Sequence, residues 1–196
     1  MGSLLAPPLA PLVRQLQAKY ALQTFVETGT YLGAGAAAAA QVFPRVFTIE
    51  VRADYFEAAR RLLAPAGNVS CLLGDSRTEL PKLVDGLEGQ ALFWLDGHMG
   101  GGNFGAGDDC PLLEELAAIA GSPFEHFILI DDARAFLAPP PPPFDADRWP
   151  RLPEIVETLR RRHAYDVIAI ADCLICTPPA AREEIRAFCN GVRPKI

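Results

Sequence analysis

The sequence predicts an α/β protein, a mostly parallel seven-stranded sheet with helices on both faces that closes in an antiparallel hairpin. Two observations predict it. Short apolar runs alternate with helical stretches along most of the chain, the pattern of parallel strands joined by crossover helices. Near the C-terminus the alternation stops. Strand-like runs at 165–170 and 173–177 are separated only by Ala171 and Asp172, and strands linked so closely must pair as a hairpin.

Taken in order, an amphipathic stretch at about 9–20 predicts a helix within an N-terminal helical segment, 1–20. Its position leaves three roles open: capping the sheet, forming part of a pocket, or supporting a homodimer. Near-continuous apolar runs at 25–27, 46–50, 69–73, 91–96 and 127–131 predict buried strands. Helices are predicted at 33–42, 53–63, 78–84 and 111–120, with another at 152–162. Alanines 36–40 make the first of these slim enough to lie close on the sheet. Pro111 suits a first helical turn, and Asp109 is placed to cap it. Two stretches fit no element. Residues 99–109 are glycine-rich, and 138–150 include five consecutive prolines, which makes that segment extended and stiff. Both follow strand C-termini, the edge where open sheets bind ligands, so each is read as a substrate-side loop, with a plain surface loop as the alternative.

The 196 residues suit one domain, 1–196, with a core large enough to fold unaided. Half the residues are apolar and about a fifth charged, as in soluble globular proteins. A net charge of −6 and the lack of a long basic run disfavour nucleic acid as a partner. Arg160, Arg161 and Arg162, the densest basic patch, are read as a solvated helix face. The N-terminus has no charged leader followed by a long apolar core, so neither a signal peptide nor a membrane span is expected. Five cysteines in an odd, unpatterned set suit a reducing cytoplasm. Cys173 and Cys176 form a CxxC, but on a strand they point to opposite faces and do not converge on a metal or redox centre.

The most informative segment runs from Thr24 to Gly33 (TFVETGTYLG), followed by the alanine run and then Val46 to Glu50 (VFTIE). It reads as a strand, a glycine turn, a helix, and a second strand ending in a carboxylate. Glycine lets the backbone approach a ligand closely, and the free N–H groups of the following helix point into the same crevice. Glu50, just over twenty residues after Glu27, is placed to accept both hydroxyls of a ribose. The pattern predicts a nucleoside site. Its ExGxxxG spacing, Glu27, Gly29 and Gly33, departs from the GxGxxG of dinucleotide-binding turns.

On these residues, across roughly 20–180, and on its closing hairpin, the chain resembles class I S-adenosylmethionine-dependent methyltransferases and their Rossmann-like sheet. The resemblance implies that the loop of Glu27, Gly29, Thr30 and Gly33 passes the amino-acid end of the cofactor, while Glu50 holds the ribose. The segment Leu73 to Ser76 (LGDS) resembles the adenine loop of that family, with Asp75 accepting from the adenine amino group and Ser76 beside it. Read from the residues alone, Asp75 and Ser76 also make a helix cap.

Phe93 to His98 (FWLDGH) ends the fourth strand and Ile128 to Asp132 (ILIDD) the fifth, so Asp96, Asp131 and Asp132 converge if these strands are neighbours. Three adjacent carboxylates repel unless protons or a cation neutralise them, and oxygen ligands suit Mg²⁺. The arrangement resembles metal-dependent small-molecule O-methyltransferases of the macrolide and aminocoumarin sugar type. That implies a metal on Asp96, Asp131 and Asp132, with His98, two residues after the first aspartate, as general base. A metal lowers the pKa of a hydroxyl and an imidazole removes its proton. Without a metal, Asp96 would serve the methionine end of the cofactor. Arg134 either holds an acidic substrate or pairs with Asp131 or Asp132, the ion pair being favoured; His126 and His163 are read as structural.

The chain departs from the sugar enzymes in its Gly100 to Gly102 run and in the lack of a longer N-terminal lid. It has no Asn-Pro-Pro-Tyr type sequence, which argues against amino-group methylation. The expected activity is O-methylation of a small hydroxylated metabolite or natural product, and the substrate itself does not transfer. The alternative keeps the cofactor but cyclises or cleaves it, with the carboxylates and His98 orienting its amino group. A nucleotide-dependent oxidoreductase is disfavoured by the ExGxxxG spacing and the hairpin. A non-catalytic binding module is disfavoured by the joint presence of Glu50, Asp96 and His98.

Overall fold

The computed structural model describes residue 4 and residues 7–98, 110–140 and 144–192. Its elements run α1 (Leu9–Tyr20), β1 (Thr24–Thr28), α2 (Ala34–Ala39), β2 (Arg45–Glu50), α3 (Ala53–Leu63), β3 (Val69–Leu73), α4 (Ser76–Asp85), β4 (Ala91–Leu95), α5 (Leu112–Gly121), β5 (Phe127–Ile130), α6 (Arg134–Leu137), α7 (Leu152–Leu159), β6 (Asp166–Ile170), β7 (Cys173–Thr177) and α8 (Arg182–Gly191). The strands form one sheet in the order β3-β2-β1-β4-β5-β7-β6. Strands β1 to β5 are parallel, and β7 runs antiparallel to both β5 and β6. The register places Thr28 beside Ile49 and Leu95, Leu95 beside Ile130, and Glu50 beside Leu73. The residues that follow β1 to β5 therefore share one rim.

Strand periodicity separates two apolar layers. On β4 and β5, Phe93, Leu95, Ile128 and Ile130 face one layer, packed by Leu80, Val84, Leu112 and Leu116 from α4 and α5. Leu92, Trp94, Phe127 and Leu129 face the other, with Ala36, Ala59, Leu63 and Ile185 from α2, α3 and α8. Cys173 joins the second layer and Cys176 the first, so the CxxC sulfurs lie on opposite faces of β7. Helix α1 sets Leu9, Leu12 and Leu16, all fully buried, on the second layer, each contributing roughly 2 kcal/mol by the usual transfer scale. Lys19 pairs with Glu184 of α8, and Tyr20 Oη donates to Glu184 Oε2 at 3.1 Å. Of the three roles left open for α1, its contacts are those of a cap on the sheet.

Several boundaries differ from expectation for local reasons. Helix α2 begins after Gly33, whose φ of 85° is not helical. Helix α4 starts two residues earlier than predicted, because the Asp75 side chain accepts from the Arg77 amide at 2.9 Å and caps it. Helix α7 ends at Leu159, where Arg160 turns back onto the Tyr165 carbonyl with two hydrogen bonds. Arg162 likewise donates to the Gly121 carbonyl, so the basic patch is partly spent on caps. Helices α6 and α8 carried no clear sequence signal. Asp109 and the 99–109 loop lie outside the described residues, as do 141–143 of the proline-rich segment.

Candidate active site

Gly29 turns the chain out of β1 with φ 82°, and a Cβ there would stand 2.3 Å from the Asp96 carbonyl oxygen. The glycine loop thus lies directly against the end of β4. Beneath it, Thr30 Oγ1 is 2.6 Å from Thr48 Oγ1, which donates to Glu27 Oε2 at 2.6 Å. Glu27 is buried, and that burial pushes its carboxyl up to about 8, with the Thr48 hydroxyl pulling the other way and the Glu50 charge adding to the rise. Gly35 has no side chain where a Cβ would stand 2.1 Å from Glu27 Oε1. Glu27 and Thr30 are therefore engaged under the loop as its support. Gly33 is packed against Ala59 and Leu63 of α3, at 3.2 Å from a Cβ placed on it.

Glu50, buried at the end of β2, accepts from the Tyr31 amide at 2.7 Å on one carboxylate oxygen and from the Arg52 amide at 2.9 Å on the other. Each oxygen keeps lone-pair capacity for a further donor. Around it the rim is apolar and open: Tyr31, Leu32, Val51 and Leu73 are 54, 46, 39 and 49% exposed. Large apolar groups left in water beside a fixed carboxylate are what a flat, polar-edged ligand would cover. Sequence reading did not single these out, since singly they look like ordinary surface residues. Tyr31 stands edge-on to Tyr55 at 4.7 Å, and the Arg52 guanidinium lies 4.1 Å over the Tyr55 ring.

Beyond β2, after the end of β3, Asp75 caps α4 and pairs with Arg77 at 3.2 Å, so the capping reading of Asp75 describes its present contacts; Ser76 is the first residue of α4. Nearby is a residue the sequence did not mark. Glu115, on α5, is fully buried, with the hydroxyls of Ser76 and Thr28 as its polar neighbours. A Cβ on Gly97 would be 3.3 Å from Glu115 Oε1 and 3.2 Å from Thr28 Oγ1. Burial pushes the Glu115 carboxyl up to about 7 against the pull of the Ser76 and Thr28 hydroxyls. In the sequence it sat beside Glu114 as one of two first-turn acids, and only packing distinguishes them.

At the ends of β4 and β5 the acidic groups gather. One ligand atom each from Asp96, His98 and Asp132 lie within 4.8 Å of one another. Burial pushes the Asp96 carboxyl up to about 8, helped by the charges of Asp131, Asp132 and Glu27. Asp131 is buried, and its Oδ1 accepts from the Asp132 amide at 2.9 Å. Asp132 has φ 54°, and its Oδ1 lies 2.6 Å from Arg134 Nη2. Arg134 thus makes the favoured ion pair, and its other arm pairs with Asp172 in the β6–β7 turn. The carboxylates and imidazole fit a divalent cation chemically: oxygen donors dominate, and a carboxyl held protonated to about 8 is one that a cation would return to its anionic form.

His98 is buried edge-on against the rings of Phe136 and Trp149, at centroid distances of 5.1 and 5.7 Å. Its Nε2 lies 3.2 Å from the Asp131 carbonyl oxygen and 3.9 Å from Asp132 Oδ2. Desolvation depresses its pKa to about 4, against the pull of Asp132, so the imidazole is neutral at neutral pH. Donation from Nε2–H to that carbonyl assigns the tautomer and leaves Nδ1 as a buried lone pair without a partner among the described residues. Phe136 and Trp149 also line a cavity of about 560 Å³ with Leu137, Pro139, Pro140 and Leu152. His126 and His163 stand apart from this site. The first accepts from the Ala91 amide at 3.1 Å, and the second meets the Ser122 carbonyl at 2.8 Å.

No protein-family model matches the sequence, and no curated protein matches it. Solved structures do. The O-methyltransferase TomG from Streptomyces achromogenes, involved in tomaymycin synthesis and solved with SAM, is 20% identical with a TM-score of 0.59, over 88% of this chain and 81% of that one. An O-methyltransferase from Bacillus cereus in complex with SAH is 13% identical with a TM-score of 0.61, over 88% and 81%. The SAH-bound methyltransferase PaMTH1 of Podospora anserina is 15% identical with a TM-score of 0.56, over 88% and 79%. The chain has the class I S-adenosylmethionine-dependent methyltransferase fold.

Proposed function

We propose that the protein is an S-adenosylmethionine-dependent methyltransferase that O-methylates a hydroxyl of a small metabolite or natural product. The observation that carries the reading is Glu50, a buried carboxylate fixed by two backbone amides on a rim of exposed apolar side chains. Glu50 takes the ribose hydroxyls, Val51 and Leu73 flank the base, and Asp75 and Ser76 meet its polar edge. Gly29 and Gly33 keep the loop open to the amino-acid end, with Glu27 and Thr30 holding the loop from below, and Asp96 holds the ammonium or the sulfonium side. The cofactor supplies an electrophilic methyl group. Positioning supplies much of the remaining acceleration.

His98 is the general base. Nδ1 carries the lone pair that removes the acceptor proton, and Asp132 at 3.9 Å and the Asp131 carbonyl stabilise the imidazolium as it forms. Asp96, Asp131 and Asp132 would hold Mg²⁺, which lowers the pKa of the acceptor hydroxyl. The five cysteines form no disulfide among the described residues, which suits the cytoplasm. Among the described residues no helix is long and apolar enough to cross a membrane.

Calorimetry with S-adenosylmethionine, S-adenosylhomocysteine and NAD, each with Mg²⁺ or EDTA, tests cofactor and metal together. Binding of the two sulfur nucleosides but not NAD is expected, and preference for NAD overturns the reading. Product analysis then separates methyl transfer, which yields a methylated acceptor and S-adenosylhomocysteine, from cleavage to methylthioadenosine without an acceptor. His98→Ala should lower turnover by at least about 100-fold while sparing S-adenosylhomocysteine binding, and Asp96→Asn should lower turnover as much and also weaken that binding. Full activity in both would refute the assigned chemistry.

A further inference from the structure

Arg134 opens the one-turn helix α6 and spans two carboxylates on different elements. Its Nη2 lies 2.6 Å from Asp132 Oδ1, and its Nη1 pairs with Asp172 Oδ2. Asp172 is itself fixed, because it accepts from the Arg134 amide at 3.0 Å through Oδ1 and from the Ala133 amide at 2.9 Å through its carbonyl. Asp132 is therefore shared. One oxygen faces the guanidinium and the other faces His98 at 3.9 Å, inside the group that also contains Asp96. A dication approaching Asp132 meets a guanidinium already in contact with that carboxylate, and like charges at such distances repel strongly. The side chain is 59% exposed, so it has room to move, and one of its arms is already seated elsewhere. A planar guanidinium fork suits this bridging, which a compact ammonium could not span.

We propose that Arg134 is an internal counter-ion that occupies Asp132 until a divalent cation replaces it, and that Asp172 is the seat to which it withdraws. This rests on the reading that the carboxylates of Asp96, Asp131 and Asp132, beside His98, take a divalent cation. Arg134 then sets how tightly that cation binds. It quiets the repulsion among the carboxylates when no ion is bound, and it raises the concentration of ion needed to fill the site. Asp172 sets how readily Arg134 leaves.

The test is titration of Mn²⁺ into the full chain, read by the paramagnetic resonance signal of free Mn²⁺, with S-adenosylhomocysteine affinity measured in parallel. Arg134→Gln should bind Mn²⁺ about tenfold more tightly than the unmodified protein. Asp172→Asn, which removes the alternative seat, should bind it several-fold more weakly. The double variant should match Arg134→Gln, because Asp172 acts only through Arg134. Arg134→Lys, which keeps the charge without the span, should fall between the unmodified protein and Arg134→Gln and serves if the glutamine variant does not fold. Mn²⁺ affinity that is unchanged or weaker in Arg134→Gln overturns the proposal. So does an absence of Mn²⁺ binding in every variant, and if S-adenosylhomocysteine still binds in that case, the nucleoside reading survives. Loss of S-adenosylhomocysteine binding by the unmodified protein overturns the proposed function itself.

Discussion

Single positions at the rim carry opposite demands on backbone and side chain. Gly29 combines φ 82° with a Cβ position 2.3 Å from the Asp96 carbonyl, so Gly29→Ala should destabilise the fold by about 2–4 kcal/mol in urea unfolding. Gly67, with φ 70° and nothing within 4 Å of a Cβ, is the matched control and should cost only about 1 kcal/mol on change to Ala. Equal costs would mean that strain, and not the contact with β4, explains Gly29. If Glu50 holds the ribose as proposed, Glu50→Ala removes an acceptor for two hydroxyls, each such bond to a charged group contributing about 1.5 kcal/mol or more, so S-adenosylhomocysteine affinity should drop on the order of 100-fold by calorimetry. An unchanged affinity would remove the residue on which the function rests.

At the scale of elements, α2 is the narrow point of the fold. Ala36 is fully buried, and Gly35 packs its bare Cα against the Glu27 carboxyl, so a helix of small residues brings the support of the loop to it. Ala36→Leu should overpack this contact and cost about 1–3 kcal/mol in chemical unfolding. The β6–β7 hairpin matters in a different way. By inserting β7 between β5 and β6, it delivers Asp172 to the edge of the acidic cluster, 40 residues after Asp132 in the sequence. A purely parallel sheet would have no hairpin turn at that rim.

For the molecule as a whole, buried ionisable groups set the pH response. Glu27 and Asp96 are pushed up to about 8 and Glu115 to about 7, above ordinary carboxyl values of about 4. Their contribution to stability is complete below the unfolded pKa and is lost as pH rises through 7–8. His98 and His126, depressed to about 4, run the other way: their contribution is complete above about 6.5 and is lost as pH falls through 4. The two sets oppose each other below pH 6.5, and only the carboxylates act above it. Without cofactor and in EDTA, Tm should therefore fall between pH 6.5 and 8.5, and Glu27→Gln should flatten that fall. A Tm that climbs through this window would contradict the buried, protonated carboxyls. Saturating S-adenosylhomocysteine at about 100 times its Kd should raise stability by about 2.7 kcal/mol and Tm by several degrees.

The sequence by itself determined the succession of elements along the chain: apolar runs of strand length, glycines at the first turn, and two strands too close in the chain to be anything but a hairpin. These signals are local, which is why the parallel sheet and the closing hairpin could be read without coordinates, whereas the convergence expected of Asp96, Asp131 and Asp132 rested on taking β4 and β5 as neighbours. Only the tertiary structure decided which polar groups face one another. It turned Glu27 and Thr30 under the loop, set Asp75 as a helix cap, placed Asp132 beside His98 while Asp131 bends back to an amide, and buried Glu115 but not Glu114. Those outcomes depend on contacts between residues far apart in the chain, where burial and the nearest opposing charge, neither encoded in any short motif, fix the role of each side chain.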